Sequence, residues 1–180
     1  FGKDNVILLA RAGCGKTTTI EEALISYTKL YPKRKAIAIC FNVNTRDNLR
    51  ERNLKAYNFH GFGLFAIMQK FKSFNPKYNI DEDRGYKIAL DILGIEGEPS
   101  KFESDFARSL QRLCSLAKGF NCSYTDAWDT QSTWEFIISR YEIECNGAST
   151  SQLIELGKQC LKKASYWDGT LDVDDLVWFP

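Results

Sequence analysis

The residues best suited to chemistry lie near the start of the chain, in LLARAGCGKTTTI at positions 8–20. Gly15, Lys16 and Thr17 follow a second glycine, Gly13, and complete most of the phosphate-loop pattern G-x-x-x-x-G-K-[ST]; Ala10 stands where that pattern has its first glycine. Such a loop works because successive backbone N–H groups converge on the phosphates of a nucleotide, while the helix behind it offers its positive end. Gly13 and Gly15 let the backbone wrap without a side chain in the way. Lys16 places an ammonium between the outer phosphates, the Thr17 hydroxyl suits Mg²⁺, and Thr18 could add a hydroxyl contact at the helix start. With Ala10, Arg11, Ala12 and Cys14 completing the loop, the expected cofactors are ATP and Mg²⁺, with Lys16 and Thr17 as the catalytic pair.

A loop of this kind needs a strand before it and a helix after it. Val6–Ala10 is a short continuous apolar run, as a buried parallel strand requires. From Lys16 to Leu30 the positions Ile20, Ala23, Leu24 and Tyr27 keep helical spacing. Pro32 and the basic triplet Lys33-Arg34-Lys35 break the chain before a second apolar run, Ala36–Phe41. These runs with their crossover helix predict a βαβ unit. A polar helix is expected over Asn44–Asn53, the short run KAYNFH follows, and another helix is expected over Gly63–Phe71.

Four stretches carry a family resemblance. A-x-A-G-x-G-K-T at positions 10–17, with Ala12-Gly13 ahead of the variable Cys14, resembles the loop of UvrD/Rep/PcrA-like helicases of superfamily one. AIAICFNVNTRDNLRERN looks like that family's second strand and motif Ia, and AYNFHGFGLFAI looks like motif Ib with Asn58 in place of a threonine. The closing LDVDDLVWFP resembles the segment with which such helicases return to their first RecA-like domain after a helical insertion. The resemblance implies a single-stranded DNA track past Asn42, Arg46, Asn58, Phe59 and His60, with Arg50 and Arg52 nearby. In physical terms an aromatic ring can stack on a base and an arginine can neutralise a phosphate.

Beyond about residue 73 the character changes. Helical stripes run through Phe106, Leu110 and Leu113, then Trp134, Ile137, Ile138 and Tyr141, then Leu153, Leu156, Cys160 and Leu161. Residues 1–72 carry 13 lysines and arginines against 5 acids, whereas residues 73–180 carry 11 against 18, so a basic, polyanion-facing part precedes an acidic, solvated one. Asp81-Glu82 does not follow an apolar run, which argues for a turn or helix start rather than a magnesium-holding pair. Asp172, Asp174 and Asp175 read as return and capping residues. Six scattered cysteines and a single histidine exclude an obvious zinc site and suit reduced thiols. No apolar run reaches the ~20 residues of a membrane span, and no secretory start is present, so a cytoplasmic protein is expected, or a nuclear one in a eukaryote.

The expected fold is therefore α/β: an incomplete RecA-like, P-loop NTPase parallel sheet with a mostly helical inserted subdomain. Residues 1–72 form the N-terminal part of the first RecA-like domain, 73–165 the helical insertion and 166–180 the return segment. The chain starts at Phe1 and stops at Pro180 within an apolar run, as expected of a piece of something longer. The expected function is the ATP-binding part of an ATP-dependent helicase or translocase on single-stranded DNA. Hydrolysis is expected to need a Walker B pair, an arginine finger and C-terminal helicase domains not recognisable in this sequence. The alternatives are another P-loop enzyme, such as a nucleotide kinase or a helicase–nuclease subunit, and a non-catalytic nucleotide- or DNA-binding remnant.

Overall fold

The computed structural model describes residues 7–9, 11, 13–122 and 131–178. It is mostly helical, with one short parallel sheet, and it divides into two compact units between Phe62 and Gly63.

In the first unit, α1 (Lys16–Leu30) ends just before Pro32, which cannot continue a helix. β1 (Ala38–Cys40) pairs in parallel with β2 (Ala56–Asn58) across α2 (Val43–Glu51), with Ala38 opposite Ala56 and Cys40 opposite Asn58. Ala38, Cys40, Leu49 and Ala56 form the core, and Leu24 and Leu54 pack against it. Arg50 Nε donates to the Ala56 carbonyl at 2.8 Å and its guanidinium lies 5.4 Å from the Tyr57 ring centre, tying α2 to β2. Arg52 pairs with Glu21 and so ties the end of α2 to α1.

The expected strand over Val6–Ala10 is absent from its described part. Ile7, Leu8 and Leu9 pair with no strand and are exposed, Leu9 by 90%. The βαβ unit falls one element later, as β1–α2–β2. A continuous apolar run meets the requirement for a buried strand only where other strands flank it, and in the described ladder β1 and β2 pair with one another and not with residues 7–9. Val6 and Ala10, the ends of that run, lie outside the described residues.

α3 (Phe59–Lys70) crosses the division between the units. Four further helices build the main core of the second unit: α5 (Arg84–Ile92), α6 (Lys101–Gly119), α7 (Gln131–Arg140) and α8 (Thr150–Ala164), the short α4 (Pro76–Asn79) preceding them. The helical stripes read from the sequence meet here, with Leu110, Leu113, Trp134, Ile137, Leu153 and Leu161 fully buried. Gly157 lets α8 approach closely, since a Cβ there would lie 3.0 Å from the Trp134 ring and 3.2 Å from Leu113.

The chain then returns. Leu171 bridges Ile80 in parallel, and α9 (Asp175–Trp178) packs beside Ile67 and Phe74. Asp172 and Asp175 cap one another, as expected: the Asp175 N–H donates to Asp172 Oδ1 at 2.8 Å and the Asp172 N–H to Asp175 Oδ2 at 3.0 Å. They also anchor buried charge. Arg84 donates to Asp175 Oδ2 at 2.9 Å and to the Ala164 and Tyr166 carbonyls. Lys118 donates to Asp172 Oδ2 at 2.6 Å and lies 2.8 Å from Asp175 Oδ1, near enough for ion pairing though misaligned for a hydrogen bond. Asp81 sits in the turn before α5 and pairs with Lys87, as a solvated turn should.

Candidate functional site

The phosphate loop is built by backbone conformation. Gly13 and Gly15 hold φ of +79° and +72°, a region in which an L side chain is strained, and the space around each is open. The loop closes through the Cys14 N–H to the Arg11 carbonyl at 3.4 Å, and Lys16 Nζ reaches back to the same carbonyl at 2.6 Å. Lys16 is thus folded over the loop that its ammonium serves.

Gly15 is also the N-cap of α1 and brings no side-chain oxygen to the first turn. Several other helices are capped by side chains: Asn42 accepts from the Thr45 N–H at 2.8 Å, and Ser100 and Ser149 each build a reciprocal box with the residue three positions on, whereas α5 behind Asp83 shares with α1 the lack of a side-chain cap. An exposed helix start with a glycine cap and two open, positive-φ glycines fits phosphate. Thr17 and Thr18 are exposed at that start, so the Thr17 hydroxyl is open to a metal held by phosphate oxygens. No cluster of three acidic, histidine or cysteine side chains able to hold a metal alone exists among the described residues. Magnesium usually binds through one or two carboxylates and the substrate's own phosphates, so the loop still fits it. Ala10 and Ala12 lie outside the described residues.

The nucleic-acid candidates gather at the C-terminal ends of β1 and β2. Asn58 ends β2 and Asn42 lies two residues beyond the end of β1, and the side chain of each accepts from the first turn of the following helix. Asn58 Oδ1 accepts from the Gly61 N–H at 3.2 Å, as Asn42 Oδ1 does from Thr45. Capping uses the amide oxygen, so the donor that remains for a phosphate is Nδ2. His60 is exposed and Phe59 is 49% exposed. Arg46 is clamped by Asp47, its Nε and one terminal nitrogen both 2.8 Å from Oδ1. That bond from Asp47 raises the arginine's affinity for its proton, and the same bond holds the Asp47 carboxyl below its usual range. Arg46, Arg50 and Arg52 each have a partner within the unit, so of the three only Arg46 stays beside the strand ends.

Sequence reasoning passed over Phe41. It is 90% exposed and directly follows Cys40, whose register partner Asn58 precedes Phe59. The ladder therefore sets Phe41 and Phe59 at neighbouring strand ends, two aromatic rings on one edge. The signal was present in the sequence: an aromatic between a strand's last apolar residue and an asparagine cap has no core to enter. Ile39 and Val43 are exposed on the same segment.

A family model described as "AAA domain", a P-loop domain found in UvrD/Rep-like helicases, matches residues 1–160. None of the curated proteins compared with the chain matches it.

Proposed function

The chain belongs to the AAA domain family of P-loop nucleotide-binding domains, and on that premise we propose that it is the ATP-binding part of a superfamily-one, ATP-dependent helicase or translocase acting on single-stranded DNA. The observation that carries the reading is the uncapped start of α1 behind two positive-φ glycines, with Lys16 folded over the loop.

The backbone amides of residues 13–18 hold the phosphates, and Lys16 exchanges the Arg11 carbonyl for an outer phosphate. The Thr17 hydroxyl would hold the metal. Bound ATP and Mg²⁺ would supply the anhydride to be cleaved and the positive charge that offsets the phosphates. Hydrolysis also needs an acid that orients water and an arginine on the transferring phosphate, and neither is recognisable as a motif in this sequence. The 180-residue chain should therefore bind nucleotide weakly and not turn it over. Steady hydrolysis abolished by Lys16→Ala would overturn that statement.

DNA lies along the edge made by Phe41, Asn42, Asn58, Phe59 and His60. Phe41 and Phe59 stack on successive bases, and the Asn42 and Asn58 amides donate to phosphates. The RecA-like sheet is completed by strands beyond the two described here, with residues 73–165 as its helical insertion and 166–180 as the return. The test is fluorescence anisotropy with a labelled polythymidine strand over a salt series. Binding should weaken with salt, and Phe41→Ala should weaken it by about 1–3 kcal/mol, the usual worth of one stacked base. Salt-sensitive binding unchanged in Phe41→Ala and Phe59→Ala would remove this edge from the proposal.

A further inference from the structure

The two parallel strands have a second edge, at their N-terminal ends, with different chemistry. Arg34–Ala36 lead into β1 and Arg52–Lys55 into β2, and the Ala38 N–H donates to the Lys55 carbonyl at 2.8 Å, fixing the lead-ins side by side. The second half of α1 closes the third side of a cavity of about 450 Å³. Lys29, Arg34, Lys35, Arg52 and Lys55 line it, and none of its lining residues is acidic or aromatic. Its apolar surface comes from Leu24, Ile25, Ala36 and Leu54. Two of the cations are already oriented, Arg52 by Glu21 and Arg34 over the Tyr31 ring at 5.1 Å, while Lys29 and Lys35 are exposed.

Three features choose the occupant. The apolar lining asks for an apolar group, which a bare phosphate or a duplex backbone does not offer. Single-stranded nucleic acid asks for aromatic stacking surfaces, and those stand at the other edge, on Phe41 and Phe59. The cavity also faces the C-terminal half of α1, whose partial negative charge disfavours one concentrated anion, whereas carboxylates spread along a chain can meet the cations separately. We propose that this cavity docks an acidic peptide segment of a partner protein, which inserts one aliphatic side chain against Leu24, Ile25 and Leu54 and sets its carboxylates against Lys29, Lys35 and Lys55. The site is independent of the phosphate loop and of the aromatic edge.

The experiment uses the full 180-residue chain and a fluorescein-labelled peptide of aspartates and glutamates around one central leucine. Comparators are the same peptide with serine for leucine, and a labelled polythymidine strand. The leucine peptide should bind, and the serine version about tenfold more weakly. The double substitution Lys29→Glu and Lys35→Glu should weaken the leucine peptide by about tenfold or more, since reversing rim charges turns attraction into repulsion. It should leave polythymidine binding and the thermal unfolding midpoint unchanged. If the double variant melts lower, Lys35→Ala must weaken the leucine peptide relative to polythymidine. No binding of the leucine peptide, or equal binding of both peptides, overturns the proposal. So does an equal loss of polythymidine binding, which would make the cavity a nucleic-acid surface. A dimer in sedimentation that the double substitution dissolves would also overturn it, because the occupant would be a second copy of the chain.

Discussion

α1 and α8 are both 15 residues long, yet they treat their ends and faces in opposite ways. Helix α8 begins with a reciprocal cap between Ser149 and Gln152 and buries Leu153, Ile154, Gly157, Cys160, Leu161 and Ala164. Helix α1 begins at an uncapped glycine and has no fully buried residue. The first makes its own structure complete. The second leaves its amides and an exposed hydroxyl row for a ligand, as a site must when the groups that bind phosphate are the same groups that a cap would satisfy. The two units differ likewise: the second has a dense apolar core and buried ion pairs, and the first, among the described residues, has a core of four buried residues, three of them on strands of three residues.

If that contrast is right, substitutions in the second unit should register in stability and those in the loop should register in binding. The largest effect is expected at Asp175, which is fully buried between Arg84 and Lys118. Asp175→Ala leaves two cations without their shared partner and should cost about 3–5 kcal/mol in urea unfolding. Next comes Gly157→Val, which forces side-chain atoms into the Trp134 and Leu113 contact and should cost about 1–3 kcal/mol. Ser149→Ala removes one arm of a capping box and should cost about 1 kcal/mol in the same assay. Its counterpart Gly15→Ala, placed at a φ of +72°, should lose nucleotide affinity while the main unfolding transition stays nearly in place. A Gly15→Ala variant with unchanged nucleotide affinity would break the comparison.

The smallest effect is in pH dependence. The hydrogen bond from Lys87 holds the Asp81 carboxyl below its usual range, and the hydroxyl and N–H of Ser100 do the same for Glu103. A carboxyl with a lowered folded pKa contributes stability above its unfolded value, near 4, and loses it as pH falls through the folded one. Asp175 runs the other way: burial raises its pKa, so its contribution is present at low pH and lost as pH rises through the folded value. Asp81→Asn should therefore give a shallower loss of stability on acidification below about pH 4, measured by urea midpoints across pH.

Much of the second unit was legible because helical stripes report burial: Leu110, Trp134, Ile137, Leu153 and Leu161 stand in the stripes and are core. The extent of α1 was legible too, from the glycine before Lys16 and the proline after Leu30. The strand expected over Val6–Ala10 was not found in its described part, because apolarity states what a segment could bury and not which neighbours it has. β2 was missed as a strand because three residues, Ala56–Asn58, are too few for alternation to show. Arg50 and Arg52 looked like a nucleic-acid face because sequence gives charge without partners, and their partners, the Ala56 carbonyl and Glu21, lie on other elements. The capping pair of Asp172 and Asp175 could be read from spacing, but its link to Arg84 and Lys118 spans most of the second unit.

The central claim is that the loop ahead of α1 holds a nucleotide through Lys16. It is tested most directly by titrating the chain into a fluorescent ATP analogue with and without Mg²⁺, beside the Lys16→Ala variant. The account predicts weak, saturable, Mg²⁺-dependent binding that Lys16→Ala weakens by about tenfold or more, the worth of a charge-assisted bond to phosphate. Binding that ignores both Mg²⁺ and Lys16, or no saturable binding at all, would contradict it.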